Sequence, residues 1–250
     1  MYCIDLSGKR AVVVGGTSGI GRATAELLAS AGAEVITLSR RAQPAITTGD
    51  EVRARISHRV LDVADPAAVK RVFAEIAAEG GVDISIHSAA VVIPAAATDT
   101  DDDLWRHHMT INVDGVFYTV RETLHHMVTA GRGGRVVIIG SVSGLVGSPG
   151  FTAYCASKGL LINLTRQLAV EHAALGINVN SVLPGFTNTE MTDIYDSNTK
   201  AAIAAAIPAQ AWATPDQIAH AVLFLSSRLA DYVHGINLPV DGGYLAAGPA

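Results

Sequence analysis

The sequence predicts one α/β domain built on a doubly wound parallel sheet with helices on both faces. Short β-branched segments alternate with longer Ala- and Leu-rich amphipathic segments, which is the pattern of consecutive right-handed β–α–β units. The strand-like segments are apolar at nearly every residue, so we expect both of their faces to be buried. No repeat, low-complexity segment or charged linker divides the 250 residues, and the domain is therefore expected to span residues 1–250.

Each predicted element follows from its own local pattern. The strands, which are rich in β-branched residues, are predicted at Arg10–Val14, Glu34–Leu38, Ser57–Leu61, Asp83–His87, Gly134–Ile139, Asn178–Leu183 and Ile236–Val240. The helices, which have apolar residues at helical spacing, are predicted at Gly19–Ser30, Ala67–Glu79, Asp102–Met127, Ala153–Ala174 and Pro215–Ser227. The segment at about 188–210 interrupts the alternation, and an insertion of this length after a strand predicts a lid over a bound substrate.

The composition argues against several classes of function. The net charge is −5, and Lys and Arg form no cluster longer than Arg40-Arg41, which argues against nucleic-acid binding. The sequence has no apolar run of about 18 residues and no signal-peptide pattern, so neither a membrane span nor a secretory signal is expected. Two isolated cysteines, Cys3 and Cys155, are too few for a disulfide scaffold, and a reducing, cytoplasmic setting is expected.

The nine histidines do not form a metal-binding pattern. His107-His108 and His125-His126 are adjacent pairs on one predicted helix, and adjacent helical residues diverge by about 100°. Because neither an H-E-x-x-H nor a C-x-x-C spacing occurs, no metal site is expected.

A glycine-rich turn between the first strand and the first helix predicts a dinucleotide site. Its residues are Gly15, Gly16, Thr17, Ser18, Gly19, Ile20 and Gly21. Glycines at such a turn let backbone N–H groups approach a pyrophosphate, and the helix dipole favours the negative charge. The spacing is G-x-x-x-G-x-G rather than G-x-G-x-x-G, but its position between a strand and a helix favours a cofactor over a turn without a ligand.

The next two strand ends carry residues suited to the adenosine half of the cofactor. Arg40 and Arg41 follow the second strand, where no acidic residue stands. A guanidinium can bind a 2′-phosphate, whereas NAD(H) sites carry a carboxylate there, so NADP(H) is favoured over NAD(H); the alternative is a solvated arginine pair. After the third strand, Asp62-Val63 predicts a contact with the adenine amino group, and the alternative is an Asx turn or helix cap.

Four polar residues form a candidate catalytic group. Tyr154 and Lys158 stand four residues apart at the start of a predicted helix, so they share one helical face. A phenol has an unperturbed pKa of about 10, and a neighbouring ammonium favours the phenolate, which suits Tyr154 as a general acid/base. Ser141 follows a strand and is predicted to donate to the same substrate oxygen. Asn112 stands inside a long helix, where its amide competes for backbone hydrogen bonds, so a functional role is expected.

These residues resemble the pattern of the short-chain dehydrogenase/reductase family over nearly the whole chain. The matching parts are Gly15–Gly21, Asp62-Val63, Asn112, Ser141, Tyr154, Lys158, Pro184-Gly185, Thr189 and Val240-Asp241-Gly242-Gly243. The resemblance implies a single Rossmann-like domain and an Asn–Ser–Tyr–Lys tetrad. In that tetrad, Tyr154 would exchange a proton with the reacting oxygen, which Ser141 would orient. Lys158 would hold the nicotinamide ribose and lower the pKa of Tyr154, and Asn112 would support a water relay to Lys158.

The resemblance also implies further cofactor contacts and an assembly. The additional cofactor residues are Ser88, Ala89, Pro184, Gly185, Thr187 and Thr189. The family's common Asn-Asn-Ala-Gly segment appears here as His87-Ser88-Ala89-Ala90, a departure beside the adenosine ribose. In relatives, the helices that match those of Asn112 and Tyr154 form a dimer interface and the C-terminal strand forms another, so a homotetramer is expected, with a dimer next.

The sequence therefore favours hydride transfer between NADP(H) and a carbonyl or secondary alcohol, with Tyr154 as general acid/base. The alternatives are an NAD(H)-dependent alcohol dehydrogenase of the same family and a non-catalytic nucleotide-sensing protein on the same fold. A small, apolar substrate is expected, because the pocket residues placed by the resemblance are mostly apolar. They are Ala90, Val91, Ser143, Leu145, Phe151, Phe186, Met191 and Tyr195.

Overall fold

Parallel strands form the centre of the molecule, as the sequence predicts. The computed structural model describes residues 4–41 and 49–247. Its strands are β1 (Arg10–Val14), β2 (Glu34–Ser39), β3 (Ile56–Val60), β4 (Ile84–His87), β5 (Gly134–Ile139), β6 (Ile177–Pro184) and β7 (Asn237–Val240). They form a seven-stranded sheet in the order β3-β2-β1-β4-β5-β6-β7, and every pairing is parallel. The order reverses between β1 and β4, and such a switch point leaves a crevice at the carboxyl ends of the strands.

Helices cover both faces of the sheet, which confirms the doubly wound prediction. They are α1 (Gly19–Ser30), α2 (Asp50–Ala54), α3 (Pro66–Ala78), α4 (Asp102–Met109), α5 (Gly115–Ala130), α6 (Thr152–His172), α7 (Ser197–Ala206) and α8 (Pro215–Ser226). Successive β1 residues face opposite sides: Val12 and Val14 pack in a core with α3, α5 and α6, whereas Ala11 and Val13 pack in a second core with α1 and α8. Burial on both faces explains why β1 is apolar at nearly every position.

The structure corrects several predicted boundaries. The helix predicted at Asp102–Met127 is divided into α4 and α5 by a π-helical turn at Thr110–Asp114. The short helix α2 and the lid helix α7 were not predicted, because neither carries an apolar stripe and neither contains a buried residue. Cys3 and parts of the predicted 1–250 domain lie outside the described residues, so the extent of the domain stays a prediction.

A buried histidine network lies beneath the end of β4. His87 is 1% exposed; its Nδ1 lies 2.9 Å from Thr119 Oγ1 and its Nε2 lies 3.1 Å from Ser85 Oγ. Ser85 Oγ in turn lies 3.1 Å from Thr123 Oγ1. Burial lowers the pKa of His87 to about 3, because the imidazolium loses its hydration without gaining a counter-charge. The side chain is therefore a neutral connector between β4 and α5.

The low pKa of His87 predicts a specific loss of stability in acid. An unfolded histidine binds a proton below pH of about 6.5, whereas folded His87 stays neutral down to about pH 3. The contribution of neutral His87 to the free energy of unfolding is therefore fully present above pH of about 6.5. It decreases as the pH falls from there toward about 3. Between pH 7 and pH 5, His87→Asn is expected to lose about 2 kcal/mol less of its unfolding free energy than the wild type.

Urea unfolding at the two pH values measures this difference. The control is His220→Asn, which removes an exposed histidine and should lose as much stability as the wild type. An equal loss in wild type and His87→Asn contradicts the assignment.

Candidate active site

A cleft of about 790 Å³ lies along the carboxyl ends of the strands and contains most of the predicted site. The predicted cofactor residues that line it are Gly15, Thr17, Ser18, Gly19, Ile20, Arg40, Arg41, Val63, Ser88, Ala89, Pro184, Gly185, Thr187 and Thr189. Ser141, Tyr154 and Lys158 line the same cleft. Gly21, Asp62 and Asn112 are not among its lining residues. The structure therefore brings together residues that are up to 229 positions apart in the sequence, from Gly15 to Tyr244.

The glycine turn fits closely against the loop that follows β4. A Cβ on Gly15, whose φ is +80°, would lie 2.7 Å from the backbone nitrogen of Ala89. A Cβ on Gly21 would lie 2.2 Å from the carbonyl oxygen of Gly15, so Gly21 closes the turn without lining the cleft. The helix α1 begins directly after Ser18, whose side chain makes no cap hydrogen bond. Its first backbone N–H groups consequently have no capping side chain, as an anion site at a helix N-terminus requires.

Arg40 and Arg41 follow the end of β2, where Arg41 lies close to the lid residue Glu190. Thr17 Oγ1 donates to Ser39 Oγ at 3.1 Å, and Ser39 Oγ donates to the carbonyl of Arg41 at 2.8 Å. These bonds connect the glycine turn to the backbone that carries Arg40 and Arg41. Arg41 Nη1 also lies 3.8 Å from Glu190 Oε2. Both of these side chains are largely exposed, so the pair contributes little stability and leaves Arg41 available to a phosphate.

Asp62 adopts the alternative geometry considered for it. Its carboxylate accepts the backbone N–H of Ala64 at 3.0 Å, which forms an Asx-type turn before α3. The next acidic residue, Asp65, accepts from the first two free N–H groups of that helix, at Ala67 and Ala68. The Val63 side chain, rather than the Asp62 carboxylate, lines the cleft.

Lys158 is buried and makes a hydrogen bond to the end of β5. Its side chain lies one helical turn after Tyr154 in α6, and Nζ is 5.7 Å from the centre of the Tyr154 ring. Nζ donates to the carbonyl oxygen of Ile139 at 2.9 Å. Burial lowers the pKa of Lys158 to about 8, because the ammonium is removed from water and no carboxylate compensates the charge.

Burial dominates the environment of the Tyr154 phenol. Burial raises its pKa to about 12, while its hydrogen bond with the Ser141 side chain acts in the opposite direction; the neighbouring Cys155 and Tyr195 also raise it. The net shift of the Tyr154 pKa is therefore upward, and a lowering contribution from Lys158 stays a prediction. Because desolvation outweighs the other effects, the phenol keeps its proton at neutral pH.

Asn112 connects the loop after β4 to the helix that carries Tyr154. The residue is fully buried in the π-helical turn. Its Oδ1 accepts the N–H of Val91 at 2.8 Å, and its Nδ2 donates to the carbonyl of Val91 and to Ser157 Oγ. Ser157 Oγ donates to the carbonyl of Tyr154 at 2.7 Å. A π-helical turn changes the direction of side chains within a helix, and here it coincides with the residue that makes these contacts.

The substrate end of the cleft is mostly apolar, as expected. Of the predicted pocket residues, Ala90, Val91, Ser143, Phe151, Phe186, Met191 and Tyr195 line it. Leu145 does not line it and is 49% exposed, so that assignment is wrong. Sequence reasoning missed Tyr244 and Ile203, which also line the cleft. The position of Tyr244 shortly after β7 is a signal that could have identified it, because ligand-binding residues follow strand ends in this fold.

The described residues contain neither a cluster of metal-ligating side chains nor a helix suited to cross a membrane. In residues 4–41 and 49–247, no group of three or more His, Cys, Asp or Glu side chains could hold a metal ion. In the same part of the chain, no helix has both the length and the apolar character needed to cross a membrane.

Comparison with known proteins agrees with this geometry. Residues 14–245 match a family model described as enoyl-(acyl carrier protein) reductase. A 3-oxoacyl-[acyl-carrier-protein] reductase of Escherichia coli is 37% identical over 241 residues, which cover 96% of this chain and 98% of that protein.

Solved structures give the same result. A gluconate 5-dehydrogenase from Burkholderia cenocepacia, in complex with NADP and tartrate, superimposes with a TM-score of 0.91 at 32% identity and covers 97% of each chain. A short-chain type dehydrogenase/reductase from Mycobacterium marinum superimposes with a TM-score of 0.90 at 32% identity, covering 99% of this chain and 98% of that one. With the glycine turn, the Tyr154–Lys158 spacing and the sheet order, these matches show that the chain belongs to the short-chain dehydrogenase/reductase family.

Proposed function

We propose that this protein transfers a hydride between NADP(H) and a carbonyl or secondary alcohol, with Tyr154 as general acid/base. The observation that carries the proposal is the convergence of Ser141, Tyr154 and Lys158 on the cleft that the glycine turn also lines. A nucleotide-binding site alone has no need of a buried phenol, hydroxyl and ammonium beside it. Similarity to named dehydrogenases and reductases supports the same reaction class.

The cleft fits a dinucleotide phosphate. The close packing of Gly15 against Ala89 and the uncapped start of α1 suit a pyrophosphate at the glycine turn. Arg40 and Arg41 at the end of β2 suit a 2′-phosphate, as in NADP(H). A similar protein, the gluconate 5-dehydrogenase, was crystallised with NADP. We therefore place NADP(H) ahead of NAD(H), and the other predicted cofactor residues are proposed to surround it.

The reaction assigns a separate task to each polar side chain. When bound, NADP(H) supplies or accepts the hydride. In reduction, Tyr154 gives its phenolic proton to the carbonyl oxygen as that oxygen takes up the electron pair of the broken C=O π bond. Its pKa of about 12 keeps the proton in place at neutral pH. Ser141 donates a hydrogen bond to the same oxygen and stabilises its developing charge.

Lys158 and Asn112 support this chemistry. The Lys158 ammonium lies close to Tyr154 and stabilises the phenolate that forms when the proton leaves. Asn112 positions α6 through Ser157 and the adjacent loop through Val91. The water relay to Lys158 that the family resemblance implies stays a prediction.

The lid and the assembly complete the proposal. The segment at about 188–210, which includes α7, is proposed to cover the substrate end of the cleft, because its residues Met191, Tyr195 and Ile203 line the cleft. Large apolar side chains remain exposed on α5 and α6, among them Phe117, Leu160 and Val170. We propose that they lie between subunits of a homotetramer. The cytoplasmic location stays a prediction.

Replacing Tyr154 by Phe tests the reaction directly. Tyr154→Phe keeps the ring but removes the transferable proton, so kcat for ketone reduction with NADPH is expected to fall by about 10²- to 10⁴-fold. NADPH binding, measured by quenching of protein fluorescence, should be retained.

The control is Tyr232→Phe, in a tyrosine that is 99% exposed, and it should keep wild-type kinetics. Undiminished ketone reduction by Tyr154→Phe would show that the mechanism is wrong. A wild-type protein that binds NADPH but turns over no carbonyl or alcohol would favour the nucleotide-sensing alternative.

Replacing Arg40 by Ala tests the cofactor assignment. Loss of one charge-assisted contact to the 2′-phosphate is expected to raise KM for NADPH by about ten- to hundredfold. KM for NADH should change less than about twofold, since NADH carries no 2′-phosphate. Arg71→Ala, in an exposed arginine of α3, is the matched control and should leave both KM values unchanged. Equal effects of Arg40→Ala on the two cofactors exclude the phosphate contact.

A further inference from the structure

Five aromatic side chains form a continuous chain at the substrate end of the cleft. The Phe151 and Tyr195 ring centres are 6.5 Å apart, and those of Tyr195 and Trp212 are 5.8 Å apart. The Trp212 and Phe186 centres are 5.3 Å apart, and those of Phe186 and Tyr244 are 5.7 Å apart. All four distances lie in the range of favourable aromatic pairs, which is about 4.5–7 Å.

Aromatic residues are scarce in this sequence, yet five of them lie together here. The sequence has 5 Phe, 2 Trp and 6 Tyr, and aromatic residues make up only 5% of it. The five rings come from separate segments that the fold brings to one end of the sheet, including the lid and the C-terminal segment. Four of them line the cleft, and Trp212 is not among its lining residues.

Trp212 connects the other rings to the lid helix α7, because it contacts Phe186 and Tyr195 and also hydrogen-bonds to α7. Its Nε1 donates to the carbonyl of Lys200 in α7 at 3.0 Å, so its polar atom is satisfied by the lid helix. The Lys200 ammonium lies 5.8 Å from the centre of the Trp212 ring and 3.3 Å from Asp193 Oδ1. Tyr195 lies between Asp193 and Lys200 in the sequence. Its ring packs against Trp212 and lines the cleft.

The same end of the cleft offers no available cation for an anionic substrate. Among the described lining residues, the charged side chains are Arg40, Arg41, Lys158 and Glu190. The two arginines lie at the end of β2, and Glu190 lies beside Arg41. Lys158 donates to Ile139 within the protein. A carboxylate held among the aromatic rings would therefore be desolvated without an ion-pair partner, which is costly.

We propose that this end of the cleft is a ring-binding subsite, and that the substrate is a neutral ketone or secondary alcohol whose reacting carbon lies in or beside a ring. Such a ring extends the aromatic chain by stacking against Phe151 and Tyr195. It also places its carbonyl oxygen near Ser141 and Tyr154, which line the same cleft. Tyr195 is the residue that selects for a ring in the substrate, because it belongs to the lid segment and its ring lines the cleft beside Phe151. This inference rests on the proposed carbonyl chemistry but narrows its substrate class.

A panel of three ketones with NADPH tests the inference. The panel contains 1-tetralone, a neutral bicyclic ketone; 5-keto-D-gluconate, a linear keto sugar acid; and the N-acetylcysteamine thioester of acetoacetate, an acyl-carrier mimic. The wild-type kcat/KM is expected to be at least about tenfold higher for 1-tetralone than for either of the others. A higher value for the sugar acid or the thioester overturns the ring subsite, as does absence of 1-tetralone turnover.

Two variants of Tyr195 test the residue itself. Tyr195→Ser removes one aromatic partner and should raise KM for 1-tetralone by about three- to tenfold, with kcat nearly unchanged. Tyr195→Phe keeps the ring and should retain the wild-type KM. For the small ketone butanone, which has no ring to stack, Tyr195→Ser should raise KM less than it does for 1-tetralone. Tyr232→Ser, in an exposed tyrosine, is the matched control. An unchanged KM for 1-tetralone in Tyr195→Ser overturns the role of Tyr195.

The proposed function is judged separately in the same experiment. If 5-keto-D-gluconate is the best substrate and Tyr154→Phe abolishes its reduction, the result supports the proposed carbonyl chemistry and contradicts the ring-binding subsite. If Tyr154→Phe reduces 1-tetralone at the wild-type rate, the proposed mechanism falls instead.

Discussion

The hydrogen bond from Lys158 Nζ to the carbonyl of Ile139 fixes the geometry on which the active site depends. Lys158 is 3% exposed, so its ammonium needs a partner inside the protein, and it donates a hydrogen bond of 2.9 Å to the carbonyl oxygen at the end of β5. Ser141 lies two residues beyond Ile139, and Tyr154 lies one helical turn before Lys158. This bond between α6 and β5 therefore constrains the position of the Ser141 hydroxyl relative to the Tyr154 phenol, and Asn112 contacts the same helix through Ser157.

Local signals in the sequence were sufficient to predict the sheet, the glycine turn and the Tyr154–Lys158 pair, whereas most other cleft residues followed from the family resemblance. The β1 strand is recognisable because both of its faces are buried, so its residues from Ala11 to Val14 are all apolar. The glycine turn is recognisable because Gly15 and Gly21 stand where a Cβ would collide with backbone atoms. Tyr154 and Lys158 share a face simply through helical spacing. These features depend on neighbours in the sequence or on the general rule that ligands bind at the carboxyl ends of parallel strands.

Features that depend on tertiary packing could not be predicted in this way. The π-helical turn at Asn112 arises where the helix contacts both the loop after β4 and α6, and no residue pattern specifies it. The pKa of Tyr154 was expected to be lowered by Lys158, but the depth of burial raises it, and burial is a property of the whole fold. The five rings likewise come from segments distant in sequence, so Phe151, Phe186 and Tyr195 were identified singly, whereas Trp212, Tyr244 and the contacts between the rings were not predicted.

The central claim, hydride transfer from NADPH to a carbonyl carbon with a proton from Tyr154, is tested most directly by isotope tracing. The enzyme reduces a ketone with NADPH that is dideuterated at nicotinamide C4, and the alcohol is analysed by mass spectrometry. The account predicts one deuterium on the carbinol carbon, and none on that carbon when unlabelled NADPH is used in D₂O. An alcohol that carries no deuterium from the cofactor, or that acquires deuterium from the solvent on its carbinol carbon, would contradict it.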